Sequence, residues 1–174
     1  SGEGFVVGGA PPTVNVGIIK AYQLVQFGLA DICLVVGVLA DLSPLDMQGF
    51  INIGAMGGKK FGNQPEKACR PFDSQHEGFI YGQASACIII ESGMSALKRA
   101  MPFMAEIAGG SLNLDGNSSS DPKVNGEMKA MLSALSQAAL SASDVSYINT
   151  HGSSSPLGDK TEAEAIGKIF GKRN

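Results

Sequence analysis

Charge is scarce in this chain. Only 17% of its 174 residues are Asp, Glu, Lys or Arg, the formal net charge is −3, and Lys and Arg form no run. A basic stripe is what draws a protein to nucleic acid or to an anionic membrane surface, so neither is an expected partner. Long apolar runs are missing too. Stretches such as CLVVGVLA at 33–40 fall far short of the roughly 20 residues that a helix needs to cross a bilayer, and the first residues show no basic region followed by an apolar signal segment. A cytoplasmic location is therefore expected, with no membrane partner. Cysteine is limited to Cys33, Cys69 and Cys87, an odd number without the close pairing of a metal site. Free thiols in a reducing compartment follow, and no metal ligand set is expected. Internal repeats and low-complexity linkers are absent as well.

One further absence is chemical. VVGGAPPTVNVGII at 6–19 reads as a buried strand running through two glycines into an amphipathic helix, the place where many α/β enzymes mount a nucleophile. Its turn holds Pro11 and Pro12, with no Ser, Cys or Lys at the sharpest point.

What is present is the composition of a globular domain or part of one, 44% hydrophobic. Ile18, Tyr22 and Val25 recur at helical spacing, which predicts a helix over about 13–27 stopped by Gly28. DICLVVGV at 31–38 is a short apolar run rich in β-branched residues, as expected of a strand covered on both faces. Residues 39–78 form a long irregular excursion with short helical turns, and such excursions are often functional. ACIIIE at 86–91 and FMAEIAG at 103–109 are predicted strands around a helical turn bearing Lys98 and Arg99. GEMKAMLSALSQAAL at 126–140 is the best helix, with Met128, Met131, Leu132, Leu135 and Ala139 on one stripe. VSYIN at 145–149 is a predicted strand, and after the turn THGSSSPLGD comes a last helix bearing Ala163, Ile166, Ile169 and Phe170. Alternation of strands and helices gives an α/β class with a largely parallel sheet.

His151 follows a predicted strand and opens a Gly/Ser turn before a helix, which is where open sheets bind ligands, so catalysis or substrate contact is expected of it. His76, flanked by polar and charged residues in DSQHEGF, reads as a solvated loop histidine. Cys69 could pair with His151 as nucleophile and base, but a plain thiol is the expectation. Cys33 and Cys87, inside predicted strands, are expected to be small buried hydrophobes. GMSALKR reads as a solvated helical face.

NTHGSSSPLGDKTEAEAIGKIFG resembles the β-ketoacyl synthase segment in which a catalytic histidine is followed by a Gly/Thr/Ser turn, Pro-x-Gly-Asp and a helix of the form x-x-E-A-x-A. RPFDSQHEGFIYGQASACIIIES is similar to that family's R-P-F-D-x-x-R-D-G-F-x-x-G-E-G-A, and GLADICLVVGV resembles its G-x-A-D-x-x-x-x-G-G strand. The resemblance implies a thiolase-like fold, layered α-β-α-β-α, of which residues 1–174 are a portion: the end of the N-terminal half and the start of the C-terminal half. It also implies a homodimer or heterodimer and an acyl carrier protein as partner. The acyl group rides on the carrier's phosphopantetheine, with no separate cofactor. The remaining segments of the synthase fold, including the family's lysine and second histidine, are expected from other chains or from a longer protein.

Carried over by position, the resemblance makes His151 catalytic, places Thr13, Ser153 and Ser155 at the substrate, and puts Pro11 where condensing members carry their nucleophilic cysteine. Pro11 and His151 are then expected to face each other at one pocket. Proline has no nucleophilic atom, so acyl transfer through a thioester at this position is excluded. Two other departures are Gln83 in place of the family's glutamate and His76 in place of its arginine. The reading that fits is decarboxylation of malonyl groups on a carrier protein, which needs donors to an enolate oxygen and no nucleophile. A catalytically silent partner subunit of the chain-length-factor kind and an elongating synthase with an altered nucleophile turn are the alternatives.

Overall fold

The structure, a computed structural model, describes residues 2–8, 12–39, 41–116 and 121–171. Pro11, and with it the expected proximity of Pro11 and His151, lies outside the described residues. The chain divides into two compact units, one of Ser1–Leu39 with Ala84–Leu112 and the other of Ala40–Gln83 with Asn113–Asn174.

The first unit is a helix laid on a strand pair. Helix α1 runs over Thr13–Gln26, with Val16 and Ala21 buried. Its end is built by Gly28, whose φ of 68° lets Leu29 N–H reach Leu24 C=O (2.9 Å) and Gly28 N–H reach Val25 C=O (3.1 Å), the paired closing bonds of a glycine-terminated helix. Strands β1 (Ile32–Gly37) and β2 (Ala86–Glu91) pair from Ile32 opposite Glu91 to Gly37 opposite Ala86. Gly17 sets how closely α1 lies on the sheet, since a Cβ there would stand 3.2 Å from Val35 Cγ1. Helix α3 (Gly93–Lys98) follows β2, capped by the Ser92 hydroxyl, which accepts from Ser95 N–H at 3.1 Å.

Four expectations change here. The α/β class stands, but the described strand pair is antiparallel, because the chain re-enters the pair at the end where it left, the last residue of β1, Gly37, standing opposite the first of β2, Ala86. Coverage is one-sided: opposite residues share a face in an antiparallel pair, so Cys33, Val35, Ile88 and Ile90 lie towards α1. Ile32, Leu34, Val36, Cys87 and Ile89 form the other face, with Leu34 at 64% and Ile89 at 68% exposure. Cys87 is thus exposed and not buried, whereas Cys33 is half-buried. Finally, 103–109 forms no strand, because a strand exists only through a hydrogen-bonded neighbour and none pairs with it among the described residues.

The second unit is helical and loop-built. Helix α2 (Pro44–Asn52) opens with a capping box in which Ser43 Oγ accepts from Asp46 N–H (3.2 Å) and Asp46 returns the bond to Ser43 N–H (3.0 Å). It falls in the excursion read from sequence, together with a 3₁₀ turn at Pro65–Lys67. Phe50 of α2 meets Phe79 edge-to-face at 5.2 Å, beside a parallel bridge between Met56 and Phe79. Helices α4 (Val124–Gln137) and α5 (Pro156–Phe170) pack on each other. Helix α4 stops short of the predicted residue 140. Ala139 turns left-handed at φ 54°, and Leu140 N–H closes on Leu135 C=O at 3.0 Å, leaving Ala139 exposed. On α5 the buried residues are Asp159, Thr161 and Ala165, while Ala163 is exposed. The predicted strand at 145–149 is not formed either, for the same want of a ladder partner. No helix among the described residues is long and apolar enough to cross a membrane.

Candidate functional site

The turn between Thr150 and α5 is held by hydrogen bonds from both sides. Pro156 occupies the first position of α5, where a missing N–H costs nothing, and Asp159 N–H bonds to Ser155 C=O at 2.9 Å. Gly158 packs closely on this turn, since a Cβ there would displace the Ser155 hydroxyl. Ser153 and Ser155 hydroxyls lie 2.9 Å apart and share a hydrogen bond. Ser154, 1% exposed, holds a left-handed φ of 64°, a conformation that costs a non-glycine residue on the order of 1–2 kcal/mol. Two bonds offset it. Ser154 Oγ accepts from Arg70 N–H at 3.1 Å and its carbonyl accepts from Gly78 N–H at 2.9 Å.

The histidine itself is held by its backbone. Glu162, two turns into α5, reaches back so that Oε1 accepts from His151 N–H (2.7 Å) and Oε2 from Gly152 N–H (2.9 Å). The His151 side chain is exposed and makes no hydrogen bond among the described residues, leaving both ring nitrogens available to a ligand. Gly152, at φ 50°, has the Phe72 ring so near that a Cβ would stand 3.2 Å from it.

The opposing wall is the 70–78 loop. Asp159, 2% exposed, accepts on one oxygen from Phe72 N–H (2.7 Å) and from His76 Nδ1–H (2.9 Å). His76 is therefore not the solvated loop histidine expected from its polar neighbours, its side chain being 18% exposed. Arg70 donates to Asp73 at 3.0 Å and lies over the Phe61 ring at 4.7 Å. That hydrogen bond holds the Asp73 carboxyl below its ordinary value. Glu77 accepts from the backbone N–H groups of Gly58 (2.5 Å) and Lys60 (3.0 Å), fastening the glycine-rich 54–63 loop. Farther along, Gln83 Nε2 donates to Asp41 Oδ1 (2.8 Å) and to Tyr81 Oη (2.7 Å). A glutamate at this position would set a second carboxylate against Asp41 in place of this donor.

On α4, burial pushes the Glu127 carboxyl up to about 7, with the Glu162 and Asp115 charges adding to the rise. Asp115 is fixed against the start of α4 by accepting from Lys123 N–H at 3.0 Å.

Among the site residues expected from sequence, His151, Ser153 and Ser155 come together on one turn. Thr13 opens α1 in the first unit. Cys69 is exposed and makes no hydrogen bond to His151, so no Cys/His pair is assembled. No group of three metal-ligating side chains occurs among the described residues. Sequence reading passed over Ser154, Asp159 and Glu162 as site builders. The signal for the last two was in the motif: Pro-x-Gly-Asp sets a carboxylate one turn into the helix, and the following glutamate lies on the next turn.

The chain matches two family models in series, the beta-ketoacyl synthase N-terminal domain over residues 2–96 and its C-terminal domain over residues 104–174. It is 40% identical over 166 residues to the polyketide biosynthesis malonyl-ACP decarboxylase PksF of Bacillus subtilis, covering 95% of this chain and 40% of that protein. The mitochondrial 3-oxoacyl-[acyl-carrier-protein] synthase of Arabidopsis thaliana is 34% identical over 152 residues, which is 86% of this chain and 33% of that one. Among solved structures, a beta-ketoacyl synthase from Burkholderia phymatum superposes with a TM-score of 0.86 at 29% identity, over 92% of this chain and 38% of that one. The ishigamide ketosynthase/chain length factor gives 0.79 at 26%, over 91% and 37%. The chain thus spans 33–40% of the length of these curated relatives. Two consecutive family models and a shared thiolase-like architecture lead to one conclusion: the chain belongs to the β-ketoacyl synthase family.

Proposed function

We propose that residues 1–174 are a portion of one ketosynthase domain of polyketide biosynthesis whose whole protein decarboxylates malonyl groups on an acyl carrier protein, giving the acetyl-carrier thioester without condensation. The observation that carries this reading is the greater likeness to a malonyl-ACP decarboxylase, 40% over 166 residues against 34% over 152 for a condensing synthase. Pro11 at the nucleophile position agrees with it.

The bond between the malonyl α-carbon and its carboxylate breaks, carbon dioxide leaves, and the electron pair moves through the α-carbon onto the thioester oxygen as an enolate. Protonation of the α-carbon then gives the acetyl group. What this step asks of a protein is a donor aimed at the enolate oxygen in a site fixed beforehand. His151 is assigned that role, on a turn whose backbone Glu162 holds at two points. Thr13, Ser153 and Ser155 are assigned to the substrate and its phosphopantetheine arm. The developing charge sits on the substrate's own thioester, so the step needs no cofactor beyond the carrier's arm. A dimer in the cytoplasm, completed by the remaining segments of the fold, is the expected working form.

The test is carbon dioxide release from malonyl-carrier protein by the whole protein, with His151→Ala alongside. Loss of one preorganised donor lowers the rate by about 10²-fold to 10³-fold, and intact mass shows no acyl group left on the protein. Equal rates for parent and variant remove His151 from the mechanism. No release from the parent favours the silent-partner reading, and a condensed product favours the elongating one.

A further inference from the structure

Four polar links sew the 70–78 loop to the His151 turn. Three of them start at backbone N–H groups: Arg70 to Ser154 Oγ (3.1 Å), Gly78 to the Ser154 carbonyl (2.9 Å), and Phe72 to Asp159 Oδ2 (2.7 Å). The fourth is the only one donated by a side chain, His76 Nδ1 to the same Asp159 oxygen at 2.9 Å. Asp159 Oδ1 is buried without a partner. A carboxylate taken out of water depends on its donors, and this one has two, both on one oxygen.

We infer that His76 is a positioning residue for the His151 turn, acting through Asp159. Because a carboxylate oxygen can only accept, the ring must carry its proton on Nδ1. The bond then fixes Asp159 in the first turn of α5, and Asp159 N–H in turn holds Ser155 C=O at 2.9 Å. Ser155 shares its hydroxyl with Ser153, and Phe72, whose N–H lies on the same carboxylate, sets its ring against Gly152 next to His151. Loss of the His76 donor therefore loosens both walls of one turn. The charged residues on the same loop are each engaged elsewhere, Arg70 with the Asp73 carboxylate and Glu77 with Gly58 N–H, while the Asp73 carbonyl accepts from His76 N–H at 3.1 Å and fixes the backbone of the histidine. The consequence for catalysis rests on the decarboxylase reading above, while the consequence for the turn does not.

The experiment compares the whole protein with His76→Leu, which deletes the donor, and His76→Asn, whose amide nitrogen replaces Nδ1. His76→Gln, which keeps a polar side chain but carries its donor at the place of Nε2, serves where the leucine variant does not fold. Amide hydrogen exchange at one pH is read over 150–156 and over β1 and β2, together with kcat and KM for carbon dioxide release. Removing a hydrogen bond to a charged group speeds exchange at 152–155 by roughly tenfold or more, with β1 and β2 unchanged. It lowers kcat by a similar factor and leaves KM within about twofold, and the asparagine variant restores both. Unchanged exchange at 152–155, an equal rise across the whole chain, or an asparagine variant no better than leucine overturns the proposal. A parent that releases no carbon dioxide overturns the decarboxylase reading alone, since the exchange comparison still decides the role of His76.

Discussion

Among the described residues Glu127 on α4 has no cation set against it to offset its burial, and its charged neighbours Glu162 and Asp115 are both acidic. Its carboxyl therefore binds a proton more tightly in the folded protein, at about 7, than in the unfolded chain, where 4.5 is ordinary. A raised carboxyl contributes stability that is complete below the unfolded value and is lost as pH rises through the folded one. The window is pH 4.5 to about 7. Glu127→Gln keeps the neutral side chain at every pH, so the melting temperature of the parent should fall relative to that of the variant across this window. Parallel profiles from about pH 5 to about pH 8 would remove Glu127 from the pH dependence. Asp159, with 2% exposure and bonds from Phe72 and His76, joins two segments. His76 shows why the sequence misled at this scale. Polar neighbours in DSQHEGF describe a solvated loop, but burial was decided by a residue 83 positions away.

At the scale of elements, α1 and α4 end in the same way with different residues. Gly28 takes φ 68° at the end of α1, and Ala139 takes φ 54° at the end of α4. Glycine announces a stop and alanine announces continuation, which is why the sequence carried α4 three residues too far. An alanine in the left-handed region costs roughly 1–2 kcal/mol that glycine does not incur. Ala139→Gly should therefore stabilise the protein by about 1 kcal/mol in urea unfolding, somewhat less than the full cost because glycine also loses more freedom on folding. Destabilisation would mean that the Ala139 methyl packs against something the turn needs. Strand β2 at Ala86–Glu91 coincides with the predicted run, and β1 falls one residue inside the prediction at each end. Continuous β-branched runs specify extended backbone locally. They do not specify direction: the pair is antiparallel, and nothing in either run distinguishes the two arrangements.

For the molecule as a whole, the apolar face of the β1–β2 sheet dominates. Ile32, Leu34, Val36 and Ile89 stand exposed on it, opposite the face that α1 covers. A contiguous apolar surface of this kind belongs at an interface or within a larger core, and the layered synthase architecture offers such a core. Produced alone, residues 1–174 should bind an apolar dye and self-associate in sedimentation. Substituting Leu34 and Ile89 by Ser should reduce both effects. A monodisperse monomer that ignores the dye would show that the face is covered within the chain itself.

The sequence by itself determined the helices α1, α4 and α5, the two β-branched runs, the absence of a nucleophile at Pro11, and the family through three ordered motifs. Each is a property of residues within one or two turns of each other, or of a motif read along the chain. Tertiary structure alone decided which strands pair and in what sense, that Cys87 is exposed while Cys33 is half-buried, and that 103–109 and 145–149 remain without a ladder. It also decided that Asp159 gathers Phe72 and His76 from 87 and 83 residues away to brace the His151 turn. The physical reason is the same throughout. Local periodicity fixes backbone conformation, whereas burial, strand direction and the partner of a buried carboxylate depend on segments that the chain brings together only when it folds.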